Sequence, residues 1–126
     1  AEIAGAHAVI LPPKTELSSQ MVRAAMGATE HMYIFNESLF QVIKQMQKEG
    51  IRVVGIERGG DNYFEIDLTG PIMMIIGGED KSLSEEVLDK CDATASIPMR
   101  GKVNSLNMAN AASVAMYDRV RQELSK

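Results

Sequence analysis

Little in this 126-residue chain is set up for disulfide, metal or membrane chemistry. A single cysteine, Cys91, excludes an internal disulfide and fits a reducing, cytoplasmic setting. Two histidines, His7 and His31, are too few and too far from Cys91 in sequence to build a zinc site. No apolar run approaches the roughly 20 residues that a membrane helix needs. The longest, 72–76, is flanked by Pro71 and Gly77 and reads as a buried strand. The opening residues lack the basic-then-apolar pattern of a secretory signal. Basic residues are not in excess either. Lys and Arg number 13 against 17 Asp and Glu, leaving a net charge of −4 and no compositional footprint of nucleic-acid binding. The common nucleotide motifs are missing: no G-x-G-x-x-G follows a strand, and before Lys81-Ser82 the P-loop glycine is replaced by Asp80. Cys91 has no neighbouring histidine to activate it as a nucleophile.

What is present is an alternation of periods. The apolar fraction of 45% suffices for one core, and the length fits one domain over 1–126. Residues 7–11 form a short apolar run stopped by Pro12-Pro13. Helical spacing follows over 17–26 and ends at Gly27, and 32–35 reads as a short strand. Over 38–49, Leu39, Val42, Ile43 and Met46 share one helix face, with Ser38 as cap and Gly50 as stop. A β-branched strand over 51–56 precedes a polar loop over 58–63. After the strand 72–76, Ser82-Leu83-Ser84-Glu85 has capping-box spacing for a helix reaching about Cys91. The last strand spans 93–97. The last helix spans 107–124 with Met108, Ala111, Ala112, Ala115, Met116 and Val120 on one stripe. Met74, Met99, Met108 and Met116 read as flexible core packing. Strand and helix alternate throughout, which predicts an α/β fold: a mostly parallel sheet with helices on both faces. There is no repeat or linker.

The polar bend between the last strand and last helix stands out. Ile97-Pro98-Met99-Arg100-Gly101-Lys102-Val103-Asn104-Ser105-Leu106-Asn107 places hydroxyl, amide and bare backbone at a strand end, where open α/β sheets take ligands. Together with three other segments it resembles the SpoU/TrmH branch of the SPOUT RNA methyltransferases. Those segments are 22–30, running Val-Arg-Ala-Ala-Met-Gly-Ala-Thr-Glu; Asp67-Leu68-Thr69-Gly70-Pro71 leading through 72–76 into Gly77-Gly78-Glu79; and Cys91-Asp92. The resemblance covers nearly the whole chain, and the four segments keep the family's order.

The resemblance implies a C-terminal deep trefoil knot, a homodimer, and methyl transfer from S-adenosyl-L-methionine to a ribose 2′-hydroxyl of rRNA or tRNA. It implies cofactor contacts from Gly77, Gly78 and Glu79, from Ile97, Pro98 and Met99 around the adenine, and from Ser105 and Leu106. Ser105 and Asn107 line the implied reaction centre, and Arg23, Glu30, Arg100 and Lys102 the implied RNA side. Read from the residues alone, plainer roles stay open. Residues 77–80 make an ordinary strand-to-helix turn, Ile97-Pro98-Met99 a strand end, and Ser105 and Asn107 helix caps. Glu30 and Arg23 then become solvated surface charges. Two departures from the family are Asp80 in place of a glycine and Asn110 in the last helix. The family's first signature, asparagine-x-glycine-x-x-x-arginine, has no match, since Ala1 to His7 align with the end of that first helix and the start of the next strand. The domain is therefore expected to be an enzyme truncated at its N-terminus, without the arginine that the family uses to activate the ribose hydroxyl. Otherwise it is a non-catalytic knotted module that dimerises and binds S-adenosylmethionine or RNA. A generic α/β nucleotide-binding domain is the third reading.

Overall fold

Every strand pairing among the described residues is parallel, as the alternation of strands with helices requires. The computed structural model of the chain describes residues 1, 3–11, 33–36, 38–77, 83–101 and 108–126. They fall into two compact units, Ala1–Val42 and Ile43–Lys126. In the first, β1 (Ala8–Leu11) pairs with β2 (Tyr33–Asn36), from Ala8 opposite Tyr33 to Leu11 opposite Asn36. The helix expected over 17–26 lies outside the described residues. Helix α1 (Leu39–Lys48) begins in this unit and ends in the second. It buries Val42 and Ile43 on its apolar face. Its end is a Schellman turn: Gly50 at φ 82° donates to the Gln47 carbonyl, and Ile51 donates to that of Met46.

The second unit is built on a three-stranded sheet in the order β4-β3-β5. The strands are β3 (Arg52–Asn62), β4 (Ile72–Ile76) and β5 (Ala93–Ser96). β3 is central, and its Val53 and Val54 are fully buried, each gaining about 1.5–3 kcal/mol from leaving water. It also runs further than its sequence pattern predicts. The stretch expected as a loop over 58–63 returns to the sheet, so that Ile56 and Asp61 both stand opposite Ala95 across a bulge. Gly60 makes this possible. A Cβ there would lie 2.3 Å from the Thr94 carbonyl oxygen. Close backbone approach overrides a polar, glycine-rich composition that otherwise favours a loop.

The two faces of β3 carry different cargo, in keeping with a period of two. Val54 and Ile56 pack with Leu68, Ala95 and Ala115 in the core. Ala115 belongs to α3 (Met108–Leu124). Gly55, on the other face, leaves room for Leu83, Leu88 and Cys91 around α2 (Glu85–Lys90). Helices thus cover both faces of this sheet. The start of α2 differs from the expected box. Ser84, not Ser82, is the cap, and its hydroxyl accepts from Val87 N at 3.2 Å. Met99 differs too: it is 37% exposed and not part of the core, because the chain has left β5 by that point. No helix among the described residues is long and apolar enough to cross a membrane.

The C-terminal half of α3 fastens the loop that leads into β4. The Gln122 amide accepts from Leu68 N at 2.8 Å and donates to the Ile66 carbonyl at 3.0 Å. Buried Asp118 holds that amide from behind at 2.8 Å. Glu123 accepts from Gly70 N at 2.9 Å, while Arg119 donates to the Gly70 carbonyl at 3.2 Å. Beside them Asp92 accepts from Val53 N at 2.7 Å and returns its own N–H to the Val53 carbonyl at 2.8 Å. Backbone groups at this edge, where β3 and β4 begin, therefore have assigned partners.

Candidate functional site

The opposite edge, where the parallel strands end, gathers several of the residues singled out by sequence. Ile56 on β3 stands opposite Ile76 on one side and Ala95 on the other. Neighbouring strands lie ~4.8 Å apart, so the ends of β4 and β5 stand about 10 Å from each other. Gly77 continues from β4, and Ile97-Pro98-Met99-Arg100 continues from β5. Ile76 and Ile97 pack against the core, whereas Pro98, Met99 and Arg100 are exposed. The two bends are thus neighbours on one sheet edge. Together they offer apolar side chains, a glycine without a side chain, peptide groups beyond the ladder and one guanidinium. An apolar ledge with adjoining peptide groups suits a flat heteroaromatic ring, whose faces want apolar contact and whose edge wants N–H and C=O partners.

Gly78, Glu79, Ser105, Leu106 and Asn107 lie outside the described residues, as do Arg23, Glu30 and Lys102. Of the expected site residues, the described ones are Gly77, Ile97, Pro98, Met99 and Arg100, and all five stand at this edge.

One residue at this edge escaped the sequence reading. Glu57 directly follows Ile56, between the two bends. One carboxylate oxygen accepts from Arg58 N at 2.9 Å and the other from Leu83 N at 2.8 Å. The available signal was a lone acidic residue ending an apolar strand on the face of Gly55. Without knowing that Leu83 comes back to that face, the signal has no meaning.

Other polar groups contribute differently. Burial, then the neighbouring Asp92 charge, pushes the Cys91 thiol up, and its sulfur donates to the Val87 carbonyl at 3.3 Å. A thiol so placed is a poor nucleophile at neutral pH. Among the described residues no group of three His, Cys, Asp or Glu could hold a metal ion. A wide-mouthed hollow of about 460 Å³ lies at the fastened edge, lined by Phe64, Asp67, Arg121 and Gln122 among others. There the Asp67 carboxylate accepts from the Thr69 hydroxyl and N–H, which hold it below its usual 3.8.

Comparison with known proteins follows the same lines. The model of the SpoU rRNA Methylase family matches residues 1–117. A 23S rRNA (guanosine-2'-O-)-methyltransferase, RlmB, from Ralstonia nicotianae is 33% identical over 126 residues, covering 97% of this chain and 51% of that protein. The solved SpoU methyltransferase AviRb from Streptomyces viridochromogenes, in complex with AdoMet, is 32% identical. It superposes with a TM-score of 0.89 over 99% of this chain and 53% of its own. An RNA 2'-O ribose methyltransferase structure, 26% identical, also gives a TM-score of 0.89, over 98% of this chain and 48% of its own. The chain thus spans about half the length of these relatives.

Proposed function

The chain belongs to the SpoU rRNA Methylase family, and from that membership we propose that it is an S-adenosyl-L-methionine-dependent methyltransferase domain acting on a ribose 2′-hydroxyl of rRNA or tRNA. The observation that carries the reading is that β4 and β5 end on either side of β3 near Ile56, so that the bends after them leave from one sheet edge. Parallel α/β sheets take nucleotide-like ligands outside their strand ends. The residues present there fit the cofactor. Met99 and Pro98 are exposed beside the packed Ile97, giving an apolar ledge for adenine, and Gly77 lets a ligand approach the backbone closely. Gly78 and Glu79, for the ribose and amino-acid end, and Ser105 and Leu106 are the further cofactor contacts of this reading. When bound, the cofactor supplies an electrophilic methyl on a sulfonium.

The chain's own task is alignment. Ser105 and Asn107 line the reaction centre and orient the ribose hydroxyl by hydrogen bonding, and its proton passes to solvent as the methyl group transfers. A 2′-hydroxyl target makes RNA the substrate. Arg23, Arg100 and Lys102 are the cations of this reading, supplying for RNA phosphates the positive charge that the net charge of −4 does not, and Glu30 counts as an RNA-side position without that charge. Residues 1–126 form one SpoU/TrmH-like domain in this reading, with its C-terminal segment threaded as a trefoil knot and two copies pairing as a homodimer in the cytoplasm.

The test is transfer of labelled methyl from S-adenosylmethionine to total rRNA and tRNA, with nuclease digestion to locate the label on ribose. Label on 2′-O-methylnucleosides is the expected result. Label on a base, or none at saturating cofactor, overturns the reading. Asn107→Ala should lower transfer about 100-fold, the scale of a lost aligning contact at the reaction centre, with unchanged thermal unfolding. Unchanged transfer removes Asn107 from the reaction centre.

A further inference from the structure

We propose that Arg58 is a further RNA-binding residue, a cation on β3 that takes a backbone phosphate beside the proposed methyl-transfer site. This rests on the methyltransferase reading and adds to it a residue outside the resembling segments. The described arginines of the second unit sort by sheet edge. At the edge where strands begin, each has a protein partner. Arg52 donates to the Thr69 carbonyl at 2.9 Å, Arg119 to the Gly70 carbonyl at 3.2 Å, and Arg121 to the Asp118 carboxylate at 2.8 Å. At the edge where strands end, Arg58 and Arg100 are exposed. Among the described residues, neither guanidinium has a hydrogen bond or an ion pair. The acids nearest to Arg58 in sequence do not occupy it. Both Glu57 oxygens are taken by backbone, one by Arg58 N at 2.9 Å and the other by Leu83 N at 2.8 Å. Asp61 makes no ion pair among the described residues.

The backbone under Arg58 is set before any ligand arrives. Its N–H is held by Glu57, and Gly59 turns in the left-handed region at φ 86°. Gly60 then lies against the Thr94 carbonyl, where a Cβ would come within 2.3 Å. Arg58 thus stands in the bulge between Ile56 and Asp61, both of which are opposite Ala95. From Ala95 the chain runs directly to the exposed Pro98, Met99 and Arg100. Every ribose inside an RNA chain carries a phosphate on each side, so a 2′-hydroxyl brought to this edge brings phosphates with it. A guanidinium suits them, because it stays charged and its fork of N–H donors fits two phosphate oxygens. Arg58 gives up no protein bond to make that contact, whereas Arg52, Arg119 and Arg121 would.

The experiment compares the wild-type protein with Arg58→Ala, Arg58→Lys and, at the opposite edge, Lys126→Ala. Three readouts are taken: binding of labelled total tRNA and fragmented total rRNA across a salt series, KM and kcat for methyl transfer to the same RNA, and calorimetric affinity for S-adenosylhomocysteine. Arg58→Ala should bind RNA about tenfold more weakly, the scale of one lost charge-assisted contact. Its plot of log affinity against log salt should be shallower by about 0.7–1, one phosphate's share. KM for RNA should rise by a similar factor to the loss of binding, while kcat and affinity for S-adenosylhomocysteine stay within about twofold. Arg58→Lys keeps the charge and should keep the wild-type salt slope, with an affinity between wild type and Arg58→Ala. Lys126→Ala should bind RNA within about twofold of wild type. Unchanged RNA affinity and slope in Arg58→Ala overturn the Arg58 contact and leave the methyltransferase reading standing. Equal losses in Arg58→Ala and Lys126→Ala also overturn it, because they mark general electrostatic attraction. So does an equal fall in affinity for S-adenosylhomocysteine, which marks damage to the sheet edge. Wild-type protein that neither binds nor methylates RNA overturns the reading on which the contact rests.

Discussion

The two edges of the β4-β3-β5 sheet are built on opposite plans. Where β3 and β4 begin, side chains of α3 and of Asp92 take up backbone groups one after another. Gln122 serves Leu68 and Ile66, Glu123 and Arg119 serve Gly70, and Asp92 serves Val53. Where the strands end, Met99, Pro98 and Arg100 stand exposed beside Gly77. The side-chain bond described at that edge, from Leu83 N to the Glu57 carboxylate, leaves Pro98, Met99 and Arg100 exposed. The contrast has a physical cause. Parallel strands joined through helices direct all their C-terminal bends to one edge, so ligand groups from successive bends converge there. At the other edge the polar backbone is satisfied internally by side chains of α3 and by Asp92. In the proposed function, stability and ligand capture are thus separated along the strand direction within one small sheet.

Substitutions at the two edges should separate these properties. The largest effect is expected from Gly60→Ala, where the new Cβ meets the Thr94 carbonyl. The return of β3 to β5 must shift, costing about 3 kcal/mol in urea unfolding. Because Ala95 leads directly into the β5 bend, affinity for S-adenosylhomocysteine should fall as well. A cost below about 0.5 kcal/mol would show that the bulge yields freely.

Gln122→Ala probes the fastened edge. It leaves the N–H of fully buried Leu68 without its partner and strips buried Asp118 of one donor. A loss of about 2 kcal/mol is expected, with cofactor affinity of the folded protein within twofold of wild type. Reduced affinity at full folding would mean that the two edges are coupled through α3.

Met99→Ala should do the reverse and is the smallest in stability. An exposed side chain contributes little to the fold, so the unfolding midpoint should stay within about 0.5 kcal/mol of wild type. Calorimetry should nevertheless show several-fold weaker binding of S-adenosylhomocysteine as the apolar ledge shortens. Unaltered binding would remove Met99 from the adenine side.

Much of this fold is legible in the sequence because hydrophobic periodicity reports burial directly. Val42 and Ile43 fall on the buried face their spacing predicts, and the run 72–76 is β4 to the residue. Gly50 ends α1 where a glycine after the last apolar turn should. The misreadings share one origin. The extension of β3 past Ile56, the cap at Ser84 and the exposure of Met99 each depend on what another segment brings alongside. Gly60 looks like loop composition until the Thr94 carbonyl is placed against it. Glu57 looks like a solvated carboxylate until Leu83 returns to it.

The sequence by itself determined the alternation of elements, the parallel pairing that follows from it, and the family, since local periodicity and short motifs are properties of consecutive residues. Only the tertiary structure decided that the bends after β4 and β5 flank one residue, that α3 fastens the far edge through Gln122, and that Glu57 reaches Leu83. Those facts join residues tens of positions apart, and register across a sheet depends on the packing of all its strands at once.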